Sequence, residues 1–556
     1  LKIPPNQSPI PSDSANAFSA RSPTICKSYE IDSADWLDSK RLFLRANYYQ
    51  QMLLLVLPAA LFLLWAAPWR ALECGADEGM EFSKMLLLLH HPELVNLAWN
   101  DQPWFYSQVF ASIFRLTGFH CGIPRLITFV IVFAMLLSFA RLMPTGAGWL
   151  HLLCGWAFFL CWANMPQLSI SAMLEMPAFG MATIAVALTP RRQSEWHLWR
   201  FFCVGFLLAV AIQIKLTAAI ILPALVAKMA IVWWREVRFG LQNELLNVPL
   251  AIRRWWIAPV FGLGVFGIGS ALIVWWSPDW NWSLLVGNHL AAGATSQAAK
   301  LRFDPATLLA SPGTVVAALL SLIVLWRQHR LCEFVYPIVL LVSVLLIHIN
   351  HRPWWYYYEI HFAVPLAILG GWGAGELLRL SQVGPPQSEM VRERFFSPNT
   401  SMMVGSLIVA LWTGFEMPRG YTDVWSVEQQ QHIADSDEIK VLKEYQPQTK
   451  WAYTRLNNLT AQSGYVLPPE LTVLPQKRFW TGEVTEKFVL DIVKKYQCEV
   501  VILMPQVELK QKDWNDFLAK DYMNVWSDAY ESIFVAKRLN PTPPPKREDI
   551  LKKLGL

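Results

Sequence analysis

The sequence predicts a mainly α, polytopic membrane helical bundle of about eleven transmembrane helices, with a small extracytoplasmic α/β domain at its C-terminal end. Three observations carry this. Of the 556 residues 54% are hydrophobic and only 16% charged, against roughly 25% charged in soluble domains. The apolar residues collect in runs of roughly 16–25, which as helices cross about 30 Å of hydrocarbon. Past residue 418 the pattern changes to short, alternating strand-like and helix-like stretches.

The apolar runs lie at 50–68, 123–143, 147–165, 168–189, 199–214, 217–234, 255–276, 311–326, 331–349, 354–379 and 401–418. The stretch 201–234 is too long for one span and is divided at Lys215. Lys and Arg mark cytoplasmic ends. Lys40, Arg41 and Arg45 precede the first run; Arg191, Arg192 and Arg200, then Arg235, Arg238, Arg253 and Arg254, then Arg327 and Arg330, then Arg379, Arg392 and Arg394 fill alternate linkers. This puts the N-terminus in the cytoplasm and leaves 277–310, the turn at His351-Arg352 and everything after Arg419 outside. Residues 104–118 mix polar and aromatic side chains, so 69–122 reads as one external loop carrying interfacial helices. Residues 1–48, rich in Pro and Ser with no signal-peptide pattern, read as a disordered cytoplasmic tail. The domains expected are thus this tail, a transmembrane module over 49–418 and an extracytoplasmic α/β domain over 419–556, with 498–504 and 531–537 as strands, 484–497 and 509–521 as helices, and a stiff linker at the Pro-rich 541–545.

The net charge of +5 is modest and the basic residues sit at the ends of apolar runs, which excludes a nucleic-acid groove and names membrane lipid as the environment. Eight cysteines form no CxxC pair, so no zinc ribbon is expected. Cys74 and Cys121 flank the first external loop and could pair. His90-His91 are adjacent, not four apart, and make no helical metal face.

Ionisable groups at span ends are the functional candidates, because burial there is costly. Asp77 and Glu78 follow the first span beside glycines; as acids in a first helical turn they could equally be capping residues. Asn100-Asp101-Gln102-Pro103-Trp104 sets polar groups against aromatics, which also suits an aromatic belt. Glu175-Met176-Pro177 and Lys215 lie at external ends of their runs and could form a structural pair. His289, Lys300 and Arg302 share one external loop, and Arg352 heads Trp354-Trp355-Tyr356-Tyr357-Tyr358; any one of these cations could simply snorkel. Together they place acids and cations on one face among aromatics, a set suited to a phosphate-bearing lipid with a sugar.

In this order the motifs resemble the GT-C membrane glycosyltransferases, nearest to the family of protein O-mannosyltransferases and lipid A aminoarabinose transferases. The resemblance rests on the acid pair Asp77-Glu78, Asp101-Gln102-Pro103-Trp104, the acid-Pro break at Glu175, Gln213-Ile214-Lys215-Leu216-Thr217, Asn288-His289 and Arg352-Pro353-Trp354-Trp355-Tyr356-Tyr357, and covers about residues 50–380. The family often has His-Pro-Pro or Lys-Pro-Pro in place of Asp101-Gln102-Pro103, and Asp in place of Glu175.

The resemblance implies an enzyme of the cell envelope, in a bacterial inner membrane, that takes a sugar from a polyprenyl-phosphate-linked donor and needs no obligatory cofactor or metal. The acceptor would be a glycan, lipid or protein. In a direct, inverting displacement one carboxylate takes the acceptor's proton. Asp77 is assigned that role, and Glu78 orients the acceptor or holds an interfacial helix. Lys215 and Arg352, with His289 or Arg302, stabilise the leaving phosphate. Glu175 positions Lys215, and Asp101, Gln102 and Tyr357 complete the donor site. A secondary transporter and a catalytically idle GT-C-like scaffold are the alternatives; no internal repeat of the kind transporters carry is visible.

Overall fold

A computed structural model describes residues 48–542 apart from 76, 193–194, 243–247, 279–280, 383–397, 435 and 529. All but the last residue of the expected tail, Arg392 and Arg394, and most of the Pro-rich 541–545 lie outside the described residues.

Each of the eleven apolar runs contains a helix. After α1 (Tyr48–Ala66) a loop carries α2 (Glu78–His90) and α3 (Phe105–Thr117); the bundle continues through α4 (Gly122–Leu142), α5 (Trp149–Leu160), α6 (Glu175–Leu188), α7 (Leu198–Ile214), α8 (Leu222–Gln242) and α9 (Val248–Trp276). Past the short α10 (Asn288–Gly293) come α11 (Pro312–Arg327), α12 (Val335–Asn350), α13 (Ile360–Gln382) and α14 (Pro398–Leu411). Among the described residues six helices are long and apolar enough to cross a membrane, and four apolar helices of 10–17 residues accompany them. With 13 residues, α3 reaches only about 20 Å at 1.5 Å per residue, too short to span. Lys215 breaks the long apolar stretch as expected: it is extended (φ −152°, ψ 127°) between α7 and a 3-10 turn, Leu216–Ile221.

The most buried helix is α13, and small residues let its neighbours reach it. A Cβ on Gly371 would stand 2.5 Å from the backbone of Gly155 in α5, the close approach by which helices associate where lipid removes the hydrophobic drive.

Two expectations are corrected, and the pairing left open for Cys74 and Cys121 is answered. Residues 168–189 are not one helix: α6 starts at Glu175, and 169–174 is irregular, with Ser171 Oγ accepting from Met173 N at 3.0 Å, a local bond that competes with helix. The boundary at 418 falls inside continuous helix, which passes through a π turn (Trp412–Glu416) into α15 (Met417–Ala434). The wider turn accommodates Pro418, whose ring would clash with a regular preceding turn. Cys74 and Cys121 are both free thiols, buried apart from a bond.

The C-terminal domain proper begins at α16 (Asp437–Tyr445). It continues with β1 (Ala452–Tyr453), α17 (Asn457–Ser463), α18 (Gln476–Trp480), α19 (Glu486–Tyr496), β2 (Val500–Leu503), α20 (Lys512–Asp521), β3 (Tyr522–Ser527) and β4 (Ser532–Ala536). The sheet order is β1-β2-β4-β3, with β1 parallel to β2 and the other pairs antiparallel. Tyr453, Val501 and Trp514 lie in one apolar core between sheet and helices, joined by Leu87, Leu88 and Val95 of the first loop.

The domain sits hard against that loop. A Cβ on Gly79 of α2 would meet Asn458 Oδ1 at 2.5 Å, Asn458 N at 2.6 Å and Asn457 C at 2.8 Å, so α17 rests on bare backbone. At the other end of the bundle the basic linkers gather: Arg141 and Arg200 both bind Glu195 (2.6 and 2.8 Å), Arg330 binds Glu333 and Arg379 binds Glu376.

Candidate active site

The polar face of α2 recurs every third residue, Glu78, Glu81 and Lys84, so the three stack along one side of the helix. All three are buried. Glu81 pairs with Lys84 at 2.6 Å and accepts from Ser107 Oγ of α3 at 3.1 Å. Lys84 Nζ also donates to Asn100 Oδ1 at 3.3 Å.

Glu78 is fully enclosed. Its carboxylate accepts from Arg125 Nε (2.8 Å) and Nη2 (2.6 Å), Cys74 N (2.9 Å) and Ala172 N (2.6 Å). Arg125, equally buried, donates its remaining bonds to the carbonyls of Pro68, Ala71 and Leu72. The pair ties the end of α1, the start of α2 and the 169–174 segment to α4. Both oxygens are already used, and the pair anchors the start of α2.

Asp77, one residue earlier, points the other way. It is half-buried, hydrogen-bonds the phenol of Tyr357, and has Lys215 and Lys477 as its nearby cations. Burial holds its carboxyl above the usual carboxylate range, against the pull of Lys215, Tyr357 and Lys477. Lys215 forms an ion pair with Glu175, the first residue of α6, and its ammonium stands 4.9 Å from the centre of the Tyr357 ring, a cation–π distance. Burial lowers Lys215 to about 8, although Asp77 and Glu81 pull it up.

Asp101 is the second acid here, and it is buried. It pairs with Lys477 and lies 3.1 Å from His289 Nε2. Burial and Lys215 hold His289 down to about 4. Both effects disfavour a charged imidazole, against the role of a cation that its place in the sequence suggested. Gln102 follows with its backbone N donating to Asn100 Oδ1 at 3.3 Å.

Arg352 and Arg302 are placed differently. The Arg352 carbonyl would lie 3.0 Å from a Cβ on Gly293, so its turn packs on α10, which carries His289. The Arg352 Nε is buried with no hydrogen-bond partner among the described residues. Five residues on, Tyr357 bonds Asp77, so Arg352 and Asp77 belong to one end of the bundle. Arg302 is exposed and donates to Ala299 O of its own loop at 3.0 Å; it does not join the cluster.

The residue that sequence reasoning missed is Lys477, on α18 of the C-terminal domain. It pairs with Asp101, stands 5.4 Å from the centre of the Trp99 ring, and is lowered by burial to about 8, with Asp77 pulling it up. Trp480, at the end of α18, stacks on Trp355 at 6.0 Å and 12°, fixing this helix over the aromatic run. No group of three or more metal-ligating side chains occurs among the described residues.

The fold has solved counterparts. ArnT from Cupriavidus metallidurans, bound to undecaprenyl phosphate, superposes with a TM-score of 0.51 at 13% identity, covering 88% of this chain and 98% of that one. The match is one of fold. ArnT in the apo state gives 0.50 at 13% identity, over 87% and 97%. The Archaeoglobus fulgidus oligosaccharyltransferase, tethered with an acceptor peptide, gives 0.47 at 11% identity, over 90% and 75%. No protein-family model and no curated protein sequence matches the chain. At these identities the likeness is one of fold alone.

Proposed function

We propose that the protein is an integral membrane glycosyltransferase that moves a sugar from a polyprenyl-phosphate-linked donor to an acceptor hydroxyl by inverting direct displacement. The observation that carries this is Asp77, an acid with buried Lys215 and half-buried Lys477 as its cations and a phenol on its carboxylate. The basic residues at the opposite end of the bundle favour a cytoplasmic placement there. The site then faces the extracytoplasmic side, with the N-terminus inside and a bacterial inner membrane as the setting.

In the reaction the acceptor oxygen attacks the anomeric carbon and the bond from that carbon to the lipid phosphate oxygen breaks. The acceptor's proton passes to Asp77, and the polyprenyl phosphate leaves with the bonding pair. A phosphate is a competent leaving group without protonation, so a second acid is not needed; the centre needs positive charge where the leaving oxygen develops. Lys215 supplies it, held by Glu175 and the Tyr357 face, with Arg352 from the adjoining turn. Tyr357 orients Asp77, and Asp101 with His289 holds Lys477. A transporter would place its charges near the midplane; here they collect at one end.

The test is donor-lipid binding. Full-length protein in nanodiscs should bind undecaprenyl phosphate, and Lys215→Met should weaken binding at least about tenfold, the scale of one lost charge-assisted contact. Equal binding by the variant would remove Lys215 from the donor site, and no binding by the native protein would remove the donor class.

The rate should follow a bell in pH. Asp77 must be ionised to act, so kcat/KM climbs as pH rises through its raised pKa. It falls again near pH 8, where Lys215 and Lys477 lose their protons. In a Lys215→Arg, Lys477→Arg double variant the cations persist to high pH, since guanidinium stays charged, and the alkaline limb should move up by about one unit or more. An unmoved limb would assign it to another group.

A further inference from the structure

Where the C-terminal domain meets the membrane module there is a cavity of about 260 Å³, lined by Trp99, Asn288 and Ala291 from one side and Lys477, Arg478, Thr481 and Glu483 from the other. We infer that this seam cavity is the acceptor subsite and takes one neutral saccharide ring; the inference rests on the transferase reading above.

Size comes first. Sites for drug-sized ligands run to roughly 300–1,000 Å³, so this space holds one small polar unit, not a lipid chain or a folded peptide segment. Its chemistry is that of a polyol partner: Asn288 and Thr481 offer both donor and acceptor, Lys477 donates and Glu483 accepts. The charge is already balanced. Lys477 is paired with Asp101, and Arg478 reaches Glu483 through Nε and Nη2, both at 3.1 Å. An anion entering here would compete with two carboxylates, whereas hydroxyls add bonds without disturbing either pair. Trp99 is the rigid floor, with Lys477 and Arg478 at 5.4 and 5.1 Å from its ring centre.

Position decides between donor and acceptor. Lys477 belongs both to the cavity lining and to the surroundings of Asp77. Lys215 and the Tyr357 face meet Asp77 from within the membrane module. A ring seated in the seam therefore borders Lys477 of the C-terminal domain and not Lys215, the proposed phosphate contact, which assigns the ring to the acceptor.

The experiment uses saturation-transfer NMR on the full chain in nanodiscs with methyl α-mannopyranoside, methyl β-glucopyranoside and methyl β-galactopyranoside, and methyl phosphate as the anionic probe. At least one glycoside should receive saturation from the native protein, and Thr481→Trp, which fills the exposed mouth, should cut that signal at least about fivefold; Glu483→Gln should weaken it. No glycoside signal, an equal signal in Thr481→Trp, or a preference for methyl phosphate would each overturn the inference. Undecaprenyl phosphate binding, measured on the same samples, shows that the variants are folded. If glycoside binding at the seam is present while the native protein binds no donor lipid, the transferase reading fails and the saccharide site survives as a binding site alone.

Discussion

Asp77→Asn is expected to lower sugar transfer by about 10²–10⁴-fold, the usual contribution of a positioned general base, while undecaprenyl phosphate binding and thermal stability hold. The amide keeps the shape and can still bond the Tyr357 phenol. It cannot take a proton. The comparison is best made near pH 6.5, because Asp77 raises both Lys215 and Lys477; without its charge the lysines deprotonate at lower pH and donor binding would be lost for a secondary reason. Tightly matched binding with transfer within tenfold of the native rate would take the base role away from Asp77 and leave Asp101 as the next acid to test.

The second large effect is on folding. Breaking the Glu78–Arg125 pair from either side leaves an uncompensated charge at a site with no solvent exposure, a loss of about 3–5 kcal/mol. Against a typical net stability of about 5–15 kcal/mol, Arg125→Met should leave little folded protein after extraction, and Glu78→Gln should lower the unfolding temperature markedly. Replacing both with methionine should recover part of the loss, since two apolar side chains leave no charge unpaired. The readouts are monodisperse yield and melting temperature in detergent. A Glu78→Gln protein that melts normally but transfers sugar poorly would instead put Glu78 among the reacting groups.

Much of the helical frame is readable from composition because the bilayer forces it: backbone in lipid must bond to itself, so each apolar run holds a helix, and Lys215 marks the break in the longest run. The Glu175–Lys215 pair is likewise visible as two span ends on one side. Other parts of the site depend on orientation, which hydropathy does not encode. Arg302 shares a loop with His289, yet its side chain turns back onto Ala299. His289 counts as a possible cation in sequence, but burial and then neighbouring Lys215 disfavour its charged form. The acids and lysine of α2 did carry a signal: Glu78, Glu81 and Lys84 repeat at helical spacing in a segment otherwise apolar, and that pattern is what marks Glu81–Lys84 as buried. Lys477 carried none. It is one basic residue among several near Pro475, and only the docking of α17 on Gly79 brings it to Asp101.

That docking has a consequence for how the protein is made. The carboxylates come from the loop after α1, while Lys477 is translated only after α15. Until the last sheet has closed, Trp99 and Asp101 lack their cover. A chain stopped after α15 would therefore lack Lys477, and Asp101 would lose its ion-pair partner from the C-terminal domain.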